Sequence, residues 1–215
     1  MTTLTLSLWL AFLAMALAAT FSPGPAVLLA VSTTLTLGPR RTAYSSAGNA
    51  VGVFLVACVA VGGVGLLFKA WPPAFTVLKL AGAAYLAWLG VKQWRQACHA
   101  GQSGQGGQGG QASAPEGSSR AAVFRRGMLV ACSNPKAILF FAAVFPQFMP
   151  PGRIDIARFL LLSLTFVACT LVAHLSYVLL AASAGARILS GRRMALLQRG
   201  TGLLFIGLAL ALAFN

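Results

Sequence analysis

Acidic residues are nearly absent from this sequence: its 215 residues hold two, against 16 Lys and Arg. Glu116 sits in a Gly- and Gln-rich tract and Asp155 in a short polar stretch, so no long apolar run carries a carboxylate. That excludes an acidic pocket for a cationic side chain and a carboxylate proton relay through the apolar runs. The four cysteines show no CxxC or Cys/His metal spacing, and Cys58, Cys132 and Cys169 lie inside apolar runs. No metal site is expected. Ser, His and Asp all occur, but no signature joins them into a nucleophile–base–acid set. The tract GQGGQGG lacks the Lys-Ser/Thr that a phosphate loop needs. An enzyme, a redox protein and an ATP-driven pump are therefore disfavoured, and no cofactor is expected.

What is present is apolar. Hydrophobic residues make up 58% of the chain and charged ones 8%, with mean hydropathy +0.83. A soluble domain carries about 25% charged residues, so this chain cannot coat itself in water, and a lipid bilayer is its natural solvent. The net charge of +14 does not indicate nucleic acid. The basic residues stand in short clusters between apolar runs, where membrane topology accounts for them. The apolar N-terminal stretch Leu4–Ala19 has no basic flank, and apolar character resumes after Pro25, so it reads as retained rather than as a cleaved signal.

A transmembrane helix needs about 20 mostly apolar residues, and six candidates follow along the chain. They are Leu4–Leu37, Ala43–Phe68, Trp71–Val91, Gly127–Pro150, Phe159–Gly185 and Met194–Phe214. The Gly-, Gln- and Ser-rich tract between the third and fourth cannot bury a core and reads as a flexible linker. The expected organisation is a three-helix membrane half over 1–96, a linker over 97–120 and a second three-helix half over 121–215. Arg40 and Arg41, then Lys92, Arg95, Arg120, Arg125 and Arg126, then Arg187, Arg192, Arg193 and Arg199 fall in odd-numbered loops. Only Lys69, Arg153 and Arg158 fall in even ones. The positive-inside rule places the odd loops and the central linker in the cytoplasm, and a multi-pass protein of the plasma (inner) membrane follows. The first span is long enough that a broken or re-entrant segment stays open. An odd number of crossings per half makes the second half enter from the opposite face, which predicts an all-α protein of two inverted repeats.

The first helix of each half carries a breaker: Ser22-Pro23-Gly24-Pro25 and Ser133-Asn134-Pro135. Proline removes a backbone donor and clashes with the preceding turn, and Gly24 removes remaining steric preference. Backbone groups freed within a bilayer need protein or a watery cavity. The resuming half-helix offers N–H groups and a positive dipole to a carboxylate, and the freed carbonyls suit an ammonium. Ser22, Pro23, Gly24, Pro25, Asn134, Pro135 and Lys136 are thus candidate substrate-binding residues. For Lys136 the readings are that it attracts a substrate carboxylate, or that it snorkels to the cytoplasmic interface or caps exposed carbonyls. Asn49, in an apolar helix, needs a hydrogen-bond partner and lines a pathway or a helix contact. Gly48 and Gly52, four apart, suit close helix packing. His174 is a candidate proton relay or a neutral histidine bonded to a neighbouring helix. Gly62-Gly63-Val64-Gly65 allows helix contacts within or between chains, which admits a homo-oligomer.

These segments resemble the LysE/RhtB superfamily of amino-acid exporters. The matching pieces are FSPGPAVLLAVSTTLTLGPRR (21–41), GNAVG (48–52), VLKLAGAAYLAWLG (77–90) and FRRGMLVACSNPKAILFFAAVFPQF (124–148). The resemblance implies gradient-coupled export of amino acids or their derivatives, without a cofactor. It carries the family motif positions onto Pro23, Gly24, Pro25, Asn134, Pro135 and Lys136, and the second-helix glycines onto Gly48 and Gly52. Some members have Asp directly after the second glycine, where this chain has Val53. That departure tilts the expected substrate toward neutral amino acids. The competing readings are a channel or ion permease, which lacks its buried acids here, and a membrane assembly protein without transport, which leaves the two matched breakers unexplained.

Overall fold

The computed structural model describes residues 5–70, 74–100, 119–150, 155–184 and 192–214, and among them there are helices and no strand. Caps and prolines set the helix ends. Thr5 Oγ1 accepts from Leu8 N to open α1 (Leu6–Phe21). Proline occupies the first turn of α2 (Pro25–Leu37), where a missing N–H goes unnoticed. Gly38 closes α2 at φ 83, a conformation that side chains avoid. α3 (Pro39–Ala70) follows at once, then α4 (Ala74–Ala100). Ser119 caps α5 (Arg120–Cys132). Asn134 caps α6 (Pro135–Leu139), which runs on through a π-helical turn, Phe140–Val144, and a 3₁₀ turn, Phe145–Phe148. α7 (Ile156–Ala184) and α8 (Arg192–Phe214) complete the chain.

Both expected breaks are present. α1 and α2 are bent by 50°, and α5 and the segment Pro135–Phe148 by 47°. Each bent pair is long and apolar enough to cross a bilayer as one broken span, as are α3 over Pro39–Gly63 and α7 over Ile156–Ser183. α4 and α8 are 27 and 23 residues long. Some boundaries differ from the sequence reading. The fourth span starts at Arg120 rather than near Gly127, because Ser119 supplies a cap and the polar end of a helix tolerates Arg125 and Arg126. Of the stretch expected as linker, residues 97–100 continue α4 and Arg120 opens α5, while 101–118 lie outside the described residues.

The contacts fix helix directions. Along α3 and α5, Gly48 meets Phe124 and Met128, and Gly52 meets Met128 and Ala131, so the two helices run parallel. Along α1 and α7, Trp9 Nε1 donates to Thr165 Oγ1 at 3.2 Å and Tyr177 Oη donates to the Phe21 carbonyl at 2.8 Å, so these too run parallel. His174 meets Ser46 and Phe54 meets Phe159, so α7 runs against α3. Gly90 packs on Gly202 and Ile206 while Gln93 bonds Thr201, so α4 and α8 are antiparallel. Because α3 and α5 run the same way, the chain must return between them, and α4 is the described helix that lies between them in sequence.

An aromatic cluster fills the middle. Phe12 packs edge-on against Phe140, Phe145 and Phe148, and Phe166 lies 4.7 Å from Phe140 and 4.8 Å from Phe141, ring centre to ring centre. The π-helical turn supplies Phe140 and Phe141 side by side, which regular helical spacing would splay apart. On the outside, α7 exposes Leu160, Leu161, Leu164, Leu171, Leu175 and Leu179. Such a leucine stripe is unfavourable in water and at home in lipid. The protein is an all-α membrane protein.

Candidate functional site

The first break orphans specific carbonyls. In an unbroken helix the Ala19 and Phe21 carbonyls would accept from residues 23 and 25, and both of these are prolines. Ser22 itself turns out of the helix at ψ 124. Two side chains from distant elements take over as donors. Tyr177 Oη on α7 donates to the Phe21 carbonyl, and Lys136 Nζ on α6 donates to the Ser22 carbonyl at 2.7 Å. Lys136 therefore reaches across the molecule into the break of the other half, rather than outward to a lipid interface. The Tyr177 bond is testable. Tyr177→Phe leaves the part-buried Phe21 carbonyl without this donor, at a cost of about 1 kcal/mol. Thermal unfolding in detergent should show that loss, and an unchanged midpoint would remove this bond from the account of the break.

A cavity of about 40 Å³ lies between the two breaks. Ser22, Gly24, Asn49, Asn134, Lys136 and His174 line it, with Thr20, Thr170, Phe166 and the apolar Val53. Asn49 is 2% exposed, and neither its Nδ2 nor its Oδ1 has a hydrogen-bond partner. A buried unpaired carboxamide is costly, so this one is available to a ligand or water within the cavity. α2 begins without a side-chain cap, and its first residues bearing N–H groups, Ala26 and Val27, also line the cavity. Among the described residues no carboxylate lines it.

The structure thus gathers six of the residues singled out in the sequence and separates others. Pro23, Pro25 and Pro135 are outside the cavity lining: they make the breaks and do not face the space. Asn134 lines the cavity, but its Oδ1 accepts from Lys136 N at 3.1 Å and so serves as a helix cap. Gly24 has φ −156, extended backbone open to any residue, so conformational freedom does not explain it. A Cβ there would lie 3.9 Å from Lys136 Cδ and Nζ, ordinary van der Waals contact, so space does not require glycine either. Gly48 and Gly52 turn toward α5 and pack, as their spacing suggested. His174 Nδ1 and Ser46 Oγ share a hydrogen bond of 3.2 Å, so the histidine is tied to a neighbouring helix and also faces the cavity. Tyr177, Thr170 and Ser46 went unnoticed in the sequence. The spacing Phe166, Thr170, His174, four apart on one helix face, was the available signal.

Relatives cover the same ground. A family model described as LysE type translocator matches residues 17–215, which include both breaks and the whole cavity lining. A homoserine/homoserine lactone efflux protein of Salmonella typhi is 33% identical over 203 residues, 94% of this chain and 94% of that protein. A membrane protein of Vibrio cholerae, itself uncharacterized, is 34% identical over 208 residues, 95% of this chain and 96% of its own. A leucine efflux protein of Klebsiella pneumoniae is 30% identical over 199 residues, covering 89% and 87%. No solved structure matches. With near-complete coverage in both directions and the matched motifs gathered around one cavity, the chain belongs to the LysE type translocator family.

Proposed function

We propose that this protein is a secondary transporter that exports neutral amino acids or their derivatives from the cytoplasm by alternating access, driven by an ion or proton gradient, and is not an enzyme. One observation carries the reading: a small cavity, set between two broken helices, presents a lysine, an unpaired carboxamide and an uncapped helix start. Those groups suit both ends of an amino acid, the ammonium at freed carbonyls and the carboxylate at Lys136 and the α2 N-terminus. Two of the relatives are named for export of homoserine, homoserine lactone or leucine, all uncharged in their side chains. Val53, where some family members carry Asp, lines the cavity with a methyl-bearing wall that has nothing to offer a cationic side chain.

The transport geometry follows. α4 and α8 are about 40 and 35 Å long at 1.5 Å per residue, enough for a core of about 30 Å. Together with α3, α7 and the two broken spans they make six crossings. The parallel pairs α3–α5 and α1–α7 exchange under an inverted repeat, and the antiparallel pair α4–α8 exchanges with itself. The odd loops and central linker face the cytoplasm of the plasma membrane. The cavity holds about three water-sized spheres by the measure of 10–15 Å³ each, less than an amino acid, so the halves must move apart to load it. His174, the second titratable group on the wall, is a proton-relay candidate.

The test is efflux from loaded vesicles with a panel of labelled neutral, basic and acidic amino acids, with and without an uncoupler. Selective, uncoupler-sensitive movement of neutral amino acids is expected. Pro23→Ala with Pro25→Ala should lower it at least about tenfold while the protein stays inserted, because a continuous helix hides the carbonyls. Full export by that double variant would remove the broken helix from the site.

A further inference from the structure

The cavity holds a cation without an anion. Lys136 Nζ donates to the Ser22 carbonyl, and among the described residues no carboxylate stands on the wall. Of the two acids in the sequence, Asp155 accepts from Arg158 N at the start of α7, and Glu116 lies outside the described residues. An ammonium within a membrane-spanning segment needs more than one carbonyl dipole to balance it. Beside it, Asn49 carries both an unused donor and an unused acceptor. The contact with Ser22 has a second meaning: an ammonium already sits on a carbonyl freed by the break.

We infer that the Ser22 carbonyl is the ammonium subsite for the transported amino acid, and that Lys136 occupies it as a stand-in until substrate arrives. The substrate's ammonium displaces Lys136 from the carbonyl, and the released lysine pairs with the carboxylate of that same substrate. The exchange makes and breaks no covalent bond. One N–H···O hydrogen bond replaces another, and one ion pair is added. The geometry suits it, because the two ends of an α-amino acid are one carbon apart. A zwitterion whose nitrogen takes the Ser22 oxygen therefore holds its carboxylate beside the lysine it has just moved. The four-carbon lysine stem supplies the travel. Asn49, with one donor group and one acceptor, serves either end. The inference rests on the amino-acid exporter reading, and it makes binding tighter when both ends are present together. An amine without a carboxylate competes with Lys136 and gains no ion pair in return.

The experiment compares wild type and Lys136→Met in lipid nanodiscs. Equilibrium binding is measured for homoserine and leucine, and for their carboxylate-free counterparts homoserine lactone and leucinamide. Lys136→Met should weaken the two amino acids at least about tenfold, through loss of a charge-assisted contact. It should strengthen the two carboxylate-free amines, because the internal competitor is gone. Lys136→Gln keeps a neutral donor for the Ser22 carbonyl where methionine destabilises the break. It should weaken the amino acids without strengthening the amines. Wild-type binding of amino acids, with both probe classes shifting the same way in Lys136→Met, overturns the exchange and leaves the exporter reading standing. Binding of none of the four probes by folded wild type overturns that reading, and the exchange with it.

Discussion

Gly48→Ala and Gly127→Ala each destabilise the protein by about 3 kcal/mol or more, the upper end of the usual cost of overpacking, although each adds one methyl group. A Cβ at Gly48 would overlap the Phe124 carbonyl oxygen, and a Cβ at Gly127 would overlap the Ser45 carbonyl oxygen. Both obstacles are backbone of the facing helix and cannot rotate aside. α3 and α5 must therefore separate along their seam, and packing at Gly52 against Met128 and Ala131 goes with it. In lipid no hydrophobic force holds two helices together, so close packing is most of what binds them. The double variant should lose less than the two singles added, because one separation relieves both overlaps. Gly62→Ala and Gly63→Ala are the controls, since a Cβ at either meets nothing within 4 Å. There the better helix propensity of alanine should stabilise by up to about 1 kcal/mol. Thermal unfolding in detergent reads both signs. Equal midpoints for the seam and control variants would show that the helices are not in this contact.

That contrast also shows what a sequence can and cannot tell. Gly48 and Gly52 were legible as a packing face because four-residue spacing puts two side-chain-free positions on one side of a helix. Their partner was not, because nothing local names the helix that comes alongside, and Gly127 looked like the start of a span. The two breaks were legible because proline acts on its own backbone. What completes them was hidden: Tyr177 and Lys136 reach the Phe21 and Ser22 carbonyls across 156 and 114 residues of sequence. Lys136 stood out as a charge in an apolar run, with a substrate carboxylate, the interface and exposed carbonyls as its candidate partners, and which of these it reaches depended on tertiary placement. Gly24 was read for conformational freedom, yet its backbone is extended and a Cβ would meet Lys136 only at ordinary contact distance. The π-helical turn was not read from FFAAV, a good apolar helix by composition; it directly precedes the turn that holds Pro146, whose missing N–H cannot continue a regular helix.

Replacing Asn49 with leucine should abolish most transport and make the protein more stable. Leucine has nearly the branched shape of asparagine and none of its polar atoms. Asn49 is buried at 2% exposure with both amide atoms unpaired, so its removal relieves about 1–3 kcal/mol of unmet desolvation. If the same atoms bind the charged ends of a substrate, losing them weakens binding roughly 10- to 100-fold. Stability and activity then move in opposite directions, which simple damage to the fold cannot produce. Measured together, efflux and unfolding of Asn49→Leu separate the cases: lower efflux with a higher midpoint marks a ligand-binding amide, and lower efflux with a lower midpoint marks a structural one. Asn49→Asp sharpens the argument. It adds a carboxylate to a cavity that has a lysine and no acid, so an internal ion pair should form, and the new side chain then competes for Lys136 with the carboxylate of every substrate. Efflux should fall although folding is kept, and raising the substrate concentration should restore part of it, which leucine at the same position would not permit.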